Sequence, residues 1–322
     1  MKAIDRHAMQ KTYYRPTSDI LKEAFEIGCL LGQVKQQTRH NGRAPRTEAI
    51  HLQAILQLEG SSMSAEQIEA IQHNGKVIGP AQDIAKVERS IEVYRRAKEL
   101  DIYSEADLKA AHALLIDAKA SGYRTTAPEQ SSATAKYAIP TLPPAERVAW
   151  QMQELFEYLR DGEDHIVIKS CVFHFELICI QPFRTANERM GRLWQSMILQ
   201  HYDPVFERVS LPAEIERREG DYYAALHESA CDGLCTPFIR FWLPTLRKAL
   251  QAHLRDRKAA VPQDFARRLT EFKEVLKSDT FSKSDYAVHL DELPIATVTQ
   301  DLERGQQLGY IEQQGDGKYG FL

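Results

Sequence analysis

The sequence is poor in cysteine. Its five cysteines among 322 residues form no Cys-x-x-Cys pair and no metal-ligand spacing. That excludes a disulfide-stapled scaffold and a zinc module. Cys29, Cys171, Cys179, Cys231 and Cys235 are expected to be reduced thiols packed as small hydrophobes, in a cytoplasmic protein. No apolar run approaches the roughly 18–20 residues needed to cross a bilayer, so no membrane partner is expected. The opening MKAIDRHAMQKTYYRP has no apolar signal core. Neither sign of charge dominates: 41 basic residues stand against 45 acidic ones, and a net charge of −4 gives no general attraction to nucleic acid. Internal repeats and low-complexity segments are absent. What remains, 43% apolar and 27% charged, describes a globular chain long enough for one large domain and a small one.

Helical periodicity fills most of it. Residues 17–39 place Ile20, Leu21, Phe25, Ile27, Leu30, Leu31 and Val34 along one broad stripe, with Thr17 and Ser18 as capping residues. Further helices are predicted at 46–57, from Ser64 (with Gln67 in capping-box position), at 82–100, and at 104–119 opened by Ser104. Residues 122–144, rich in Gly, Pro, Ser and Thr, read as loop or short hairpin. Helices resume at 145–160 and at 166–180. The second of these is apolar nearly all round, as a helix at the centre of a bundle must be. Pro182 ends or bends it, and helices follow at 188–201, 212–218, 221–231 and 235–253. Past Pro262 the pattern is helix 263–277, helix 282–291, a turn, helix 295–308, then YIEQQGDGKYGFL as a hairpin with GDG at its tip. This succession is a winged-helix pattern.

The most informative stretch is Gln181-Pro182-Phe183-Arg184-Thr185-Ala186-Asn187-Glu188-Arg189-Met190-Gly191-Arg192. It resembles the signature of the Fic/Fido family: His-Pro-Phe, any residue, Asp or Glu, Gly-Asn-Gly-Arg, two residues, Arg. Pro182, Phe183, Asn187, Arg189 and Arg192 match in place. Phe173-His174-Phe175-Glu176 upstream, with Asp221-Tyr222-Tyr223 and Pro237-Phe238-Ile239-Arg240-Phe241-Trp242 downstream, extend the resemblance over roughly 45–250. It implies a mainly α chain: a Fido-type helical bundle at 45–253 with a short flap hairpin or loop. A helical extension at 1–44 would precede it and a small winged-helix domain at 262–322 would follow.

In that family the loop transfers AMP from a nucleotide to a protein hydroxyl. The His is the general base, the carboxylate holds Mg²⁺, and Gly-Asn-Gly presents backbone N–H groups to phosphate. The arginines clamp phosphate oxygens. Here Gln181 stands at the base position, Thr185 at the metal-carboxylate position, and Ala186 and Glu188 replace both glycines. At ~5 Å and an effective dielectric of ~20, a Glu188 carboxylate repels a phosphate charge by about 3 kcal/mol. The expectation is no competent catalytic residue and no metal, with Asn187, Arg189 and Arg192 as a phosphate-binding remnant or a structural network. His174 is expected to pack. ATP and Mg²⁺ are cofactors only if activity remains.

Many family members carry an inhibitory helix whose Glu pairs with the second motif Arg. Leu58-Glu59-Gly60-Ser61 resembles it, so Glu59 and Gly60 are expected to form a remnant, at about 46–60, reaching Arg192. The flap counterpart, residues 125–132, contains Pro128 and lacks alternating β-branched residues, a poor edge for docking a target strand. In the winged helix, Thr297, Thr299, Gln300, Arg304 and Lys318 are the candidate DNA contacts. Residues 281–322 nevertheless hold three basic residues against seven acidic ones, which weighs against DNA. Three functions stay open: a degenerate binding or regulatory protein with an unknown protein partner, a residual AMP transferase, and a DNA-binding regulator.

Overall fold

The computed structural model describes residues 12–38, 45–58, 60–96, 99–129, 142–207, 209, 211–260, 265–276, 278–290, 293–315 and 317–322, without the side chains of 36–38, 45–48, 50–51 and 256–260. The fold is mainly helical. Its helices are α1 (Ser18–Thr38), α2 (Pro45–Gln57), α3 (Ala65–Gln72), α4 (Ala81–Arg96), α5 (Glu105–Leu115), α6 (Ala145–Asp161), α7 (Ile166–Ile180), α8 (Asn187–Tyr202), α9 (Leu211–Glu216), α10 (Glu219–Asp232), α11 (Thr236–Ala260), α12 (Phe265–Val275), α13 (Lys283–His289) and α14 (Ile295–Gln307). No helix among the described residues is long and apolar enough to cross a membrane.

Two compact units are present: 1–28 with 43–249, and 29–42 with 250–322. In the first, α7 is the buried centre, with Val172, Phe173, His174 and Leu177 sealed from solvent. It packs against α6 on one side and most extensively against α8 on the other. α2, α3 and α4 form a satellite layer around Leu52, Leu56, Met63 and Val87. The Ser64–Gln67 capping box forms as the sequence predicts. Gly60, at φ 79°, closes α2 through Gly60 N–H to Gln57 and Ser61 N–H to Leu56.

The second unit packs α12, α13 and α14 around Phe272, Phe281, Tyr286, Val298 and Leu302. Three short strands, β1 (Thr280–Ser282), β2 (Ile311–Gln313) and β3 (Lys318–Phe321), form an antiparallel sheet in the order β1-β3-β2. Arg268 on α12 grips Asp301 on α14 through Nε at 2.7 Å and Nη2 at 2.6 Å, while the Tyr286 hydroxyl donates to the same carboxylate at 3.1 Å.

Several local expectations are corrected. Leu21 and Phe25 are 64% and 74% exposed, because only Ile20, Ile27, Leu31 and Val34 of α1 turn inward. α5 stops at Leu115 rather than 119, since Asp117 adopts φ 56° and closes the helix with Ala118 N–H on Ala113 O. α4 is described over Ala81–Arg96, and Glu99 and Leu100, expected within it, are not α-helical. α11 runs on to Ala260 because 254–260 is made of good helix formers and no breaker precedes Pro262. Cys171 and Cys235 are buried thiols, but Cys29 and Cys231 are exposed on helix faces that point to solvent.

Candidate functional site

The motif loop, residues 181–186, joins α7 to α8. A residue before proline avoids the helical region, so α7 stops at Gln181, which takes a left-handed conformation at φ 44°, ψ 66°. The buried carbonyls at the helix end face Arg124. Its Nε donates to Gln181 O at 2.7 Å and its Nη2 to Ile180 O at 3.3 Å and Pro143 O at 2.7 Å. A buried cation thus caps the negative end of the helix dipole, with burial drawing its pKa down. Its backbone N–H donates to Pro182 O at 2.8 Å, and further along Glu129 N–H donates to Arg184 O at 2.8 Å. The exposed Arg184 guanidinium pairs with the Glu129 carboxylate at 2.9 Å. Residues 124–129 therefore lie along the loop and are tied to its backbone. Residues 130–141, including the rest of the expected flap, lie outside the described residues.

Phe183 is fully buried and stacks on His112 of α5, with ring centroids 3.8 Å apart and planes 5° from parallel. His112 Nε2 lies 3.0 Å from Thr185 O, and because a carbonyl only accepts, that nitrogen carries the proton. Nδ1 is then the acceptor for the Ser121 hydroxyl at 2.6 Å. Burial lowers the His112 pKa; the bond to Thr185 opposes this, and the charge of Arg189 adds to it. Asn187 folds back onto the loop: its Oδ1 accepts from Phe183 N–H and its Nδ2 donates to Phe183 O, both at 2.9 Å. Ala186 caps α8 at φ 59°, ψ 20° and offers no side-chain hydrogen bond. Glu188 sits in the first turn of α8, where the helix dipole favours a carboxylate.

Arg192 points into the bundle. It is 2% exposed and lies near Tyr222 of α10, whose hydroxyl feels its charge. The Tyr222 hydroxyl lies 2.9 Å from His174 Nε2, and His174 Nδ1 bonds the Gln195 side-chain oxygen. Gln195 accepts, so Nδ1 is the protonated nitrogen and Tyr222 donates to Nε2. Burial drives the His174 pKa down to about 3; the Gln195 bond opposes the shift and the charge of Arg192 adds to it. His174 is a neutral packing residue, with Phe238 and Trp242 edge-on around it.

The loop thus brings Gln181, Thr185, Asn187, Arg189 and Arg192 into one turn and the start of one helix. Gln181 is buried and Thr185 half-buried. Glu59, the expected partner of Arg192, lies outside the described residues. In the second unit, Thr297, Gln300 and Arg304 share one side of α14, whereas Thr299 lies on the other. Arg304 sits over the Phe265 ring at 5.4 Å, and Lys318 is exposed on β3. Sequence reasoning overlooked Arg124, His112 and Gln195. Each acts through a partner 21 to 73 residues away, and no local pattern announces them.

Residues 102–199 match the Fic/DOC family. Over 252 residues the chain is 25% identical to protein adenylyltransferase fic-1 of Caenorhabditis elegans, covering 73% of this chain and 47% of that protein. The chain therefore spans about half the length of the curated relatives it matches. A Fic family protein from Desulfovibrio desulfuricans G20 is similar over 97% of this chain and 98% of its own, with 26% identity and a TM-score of 0.69. Fic-1 of C. elegans has the same fold at a TM-score of 0.59 and 19% identity, over 74% of each chain. Family match, structural likeness and fic-1 relatives together support a place for this chain in the Fic family.

Proposed function

We propose that the chain is a Fic-fold binding or regulatory protein that does not transfer AMP. The observation that carries this reading is the engagement of the motif loop with the chain itself. Arg192 is buried inside the bundle near Tyr222, Asn187 is closed on Phe183, and the Thr185 carbonyl is occupied by His112. A magnesium-bound nucleotide does not fit the residues present. Thr185 offers a neutral oxygen in place of a carboxylate, Gln181 cannot accept a proton at neutral pH, and Glu188 puts a carboxylate where the family motif has glycine. The same fold with these substitutions is suited to holding a partner.

The α12–α14 unit and its β1-β3-β2 sheet support the winged-helix reading of 262–322. The Thr297, Gln300 and Arg304 side of α14 carries a single positive charge, which favours a protein partner over DNA. The fic-1 relatives are protein adenylyltransferases, so residual transfer is the competing reading. Incubation with labelled Mg-ATP separates the two. No label on the chain or on added protein is expected, and label that disappears with Arg189→Ala would sink the proposal.

A further inference from the structure

α1 carries two apolar stripes. The inward one, Ile20, Ile27, Leu31 and Val34, is buried. About 120° around the helix, at 100° per residue, runs a second: Leu21, Phe25, Gly28 and Gly32, all within about 60° of arc. Leu21 and Phe25 are among the most exposed large apolar side chains described, and a Cβ at Gly28 or Gly32 would meet nothing within 4 Å. Four consecutive turns thus offer two knobs followed by two holes. The acidic residues of the same helix are turned elsewhere: Asp19 pairs with Arg240, and Glu23 and Glu26 with Arg247. No carboxylate of the helix opposes a partner on this stripe.

We propose that this stripe is a self-association surface on which α1 of a second copy of the chain packs antiparallel. The spacing selects the occupant. The midpoint between Leu21 and Gly32 is also the midpoint between Phe25 and Gly28. A two-fold axis through that point therefore sets each Phe25 against the partner's Gly28 and each Leu21 against the partner's Gly32. Such a surface is self-complementary, as an isologous two-fold interface requires. The glycines let the helix axes approach while the large side chains fill the space so created. A parallel pairing would instead oppose Phe25 to Phe25 and leave the glycines facing each other. A single pair of four-turn helices covers on the order of 1,000 Å², the low end for a specific interface, so association in the micromolar range is expected.

The test is sedimentation equilibrium of the full chain from about 1 to about 200 μM, with circular dichroism confirming that each variant is folded. The native chain is expected to pass from monomer to dimer over that range. Phe25→Gly, which removes a knob, and Gly28→Phe, which blocks a hole, should each weaken the dimer at least tenfold. The double swap Phe25→Gly/Gly28→Phe restores a knob against a hole across the axis and should recover it. A second measurement does not depend on those variants folding. Under the same axis the two exposed Cys29 residues lie on one flank, offset by ~7.5 Å along the pair. A short bis-maleimide should therefore link two chains in a Cys231→Ser background. A monomer at every concentration overturns the proposal. So does a dimer indifferent to all three changes and not linked through Cys29.

Discussion

Gly191 and His174 meet where α8 crosses α7: a methyl group at 191 would stand 3.0 Å from Cδ2 of the imidazole and 3.4 Å from Nε2. The ring cannot retreat, because both nitrogens are bonded and aromatic side chains surround it. Gly191→Ala should therefore destabilise the chain despite the better helix propensity of alanine. Overpacking costs about 1–3 kcal/mol, and the propensity gain offsets roughly 0.5–1 kcal/mol of it. A net loss of about 1–2 kcal/mol by urea unfolding is expected, and a gain would mean the helices are further apart than this.

Ala186 presents the opposite case. It holds φ 59° at the entry to α8, a conformation that costs an L-residue roughly 1–2 kcal/mol. Ala186→Gly removes that strain and loses about 0.4–1 kcal/mol to the more flexible unfolded chain. Net stabilisation of about 0.5–1 kcal/mol should appear as a higher denaturant midpoint at unchanged slope. By contrast, Glu188→Gly puts glycine inside a helix turn and removes a carboxylate that the dipole favours, so it should destabilise by about 1 kcal/mol.

The same residues mark what the sequence made legible. The bounds of α7 could be read closely because the segment is apolar all round and a proline follows its last turn. The capping box at Ser64 and Gln67 was visible because both partners lie three residues apart. β1 was missed: three residues carry no measurable alternation, and Thr280–Ser282 is a strand only because β3, at the other end of the unit, pairs with it. In α1 every apolar residue was assigned to one stripe, although burial needs only part of the circumference. At the motif loop, the residue replacements were plain in the sequence. The inward turn of Arg192 was not, since it depends on Tyr222 and the His174–Gln195 pair on three different helices.

His174 makes stability depend on pH in a definable window. Unfolded, an imidazole takes a proton below about 6.5; folded, it stays neutral down to about 3. Between those values the unfolded state binds the extra proton, so stability is complete above pH 6.5 and declines as pH falls toward 3. Gln195, Tyr222 and Arg192 surround the ring, and none supplies a negative charge to hold an imidazolium. Carboxylates elsewhere also respond to acid, so the informative quantity is a difference. Native and His174→Gln proteins should differ most at pH 7 and converge toward pH 4; urea midpoints across that range measure it. A constant gap would contradict a neutral buried His174.

Arg268 and Asp301 set the stability of the second unit. Both are nearly sealed from solvent and joined through two hydrogen bonds. Asp301→Asn removes the carboxylate that grips Arg268 through two hydrogen bonds, and breaking a buried pair in this way costs about 3–5 kcal/mol. Loss of the tertiary signal from Phe281 and Tyr286 at a lower temperature is expected. Arg268→Met/Asp301→Leu should recover much of it, because a buried ion pair replaced by apolar side chains of similar size is close to neutral. If Asp301→Asn melts like the native chain, the pair is not buried as described.

Nucleotide affinity is where the reading of the loop is most exposed to refutation. Arg189 attracts a triphosphate, but Arg192 is buried within the bundle and Asn187 is bonded within the loop. The Glu188 carboxylate repels phosphate from the first turn of α8, by up to about 3 kcal/mol before solvent screening. Binding of Mg-ATP weaker than about 1 mM is therefore expected, less than about 4 kcal/mol. Glu188→Gly removes the repulsion and should tighten binding about tenfold, even though it weakens the fold. Adding Ala186→Gly should tighten it again by freeing the backbone to approach phosphate. Neither change should produce transfer, because Gln181 still cannot take the proton. Calorimetric titration of the three proteins measures the affinities, and micromolar binding by the native chain would mean that Arg192 and Asn187 leave their internal partners for the nucleotide.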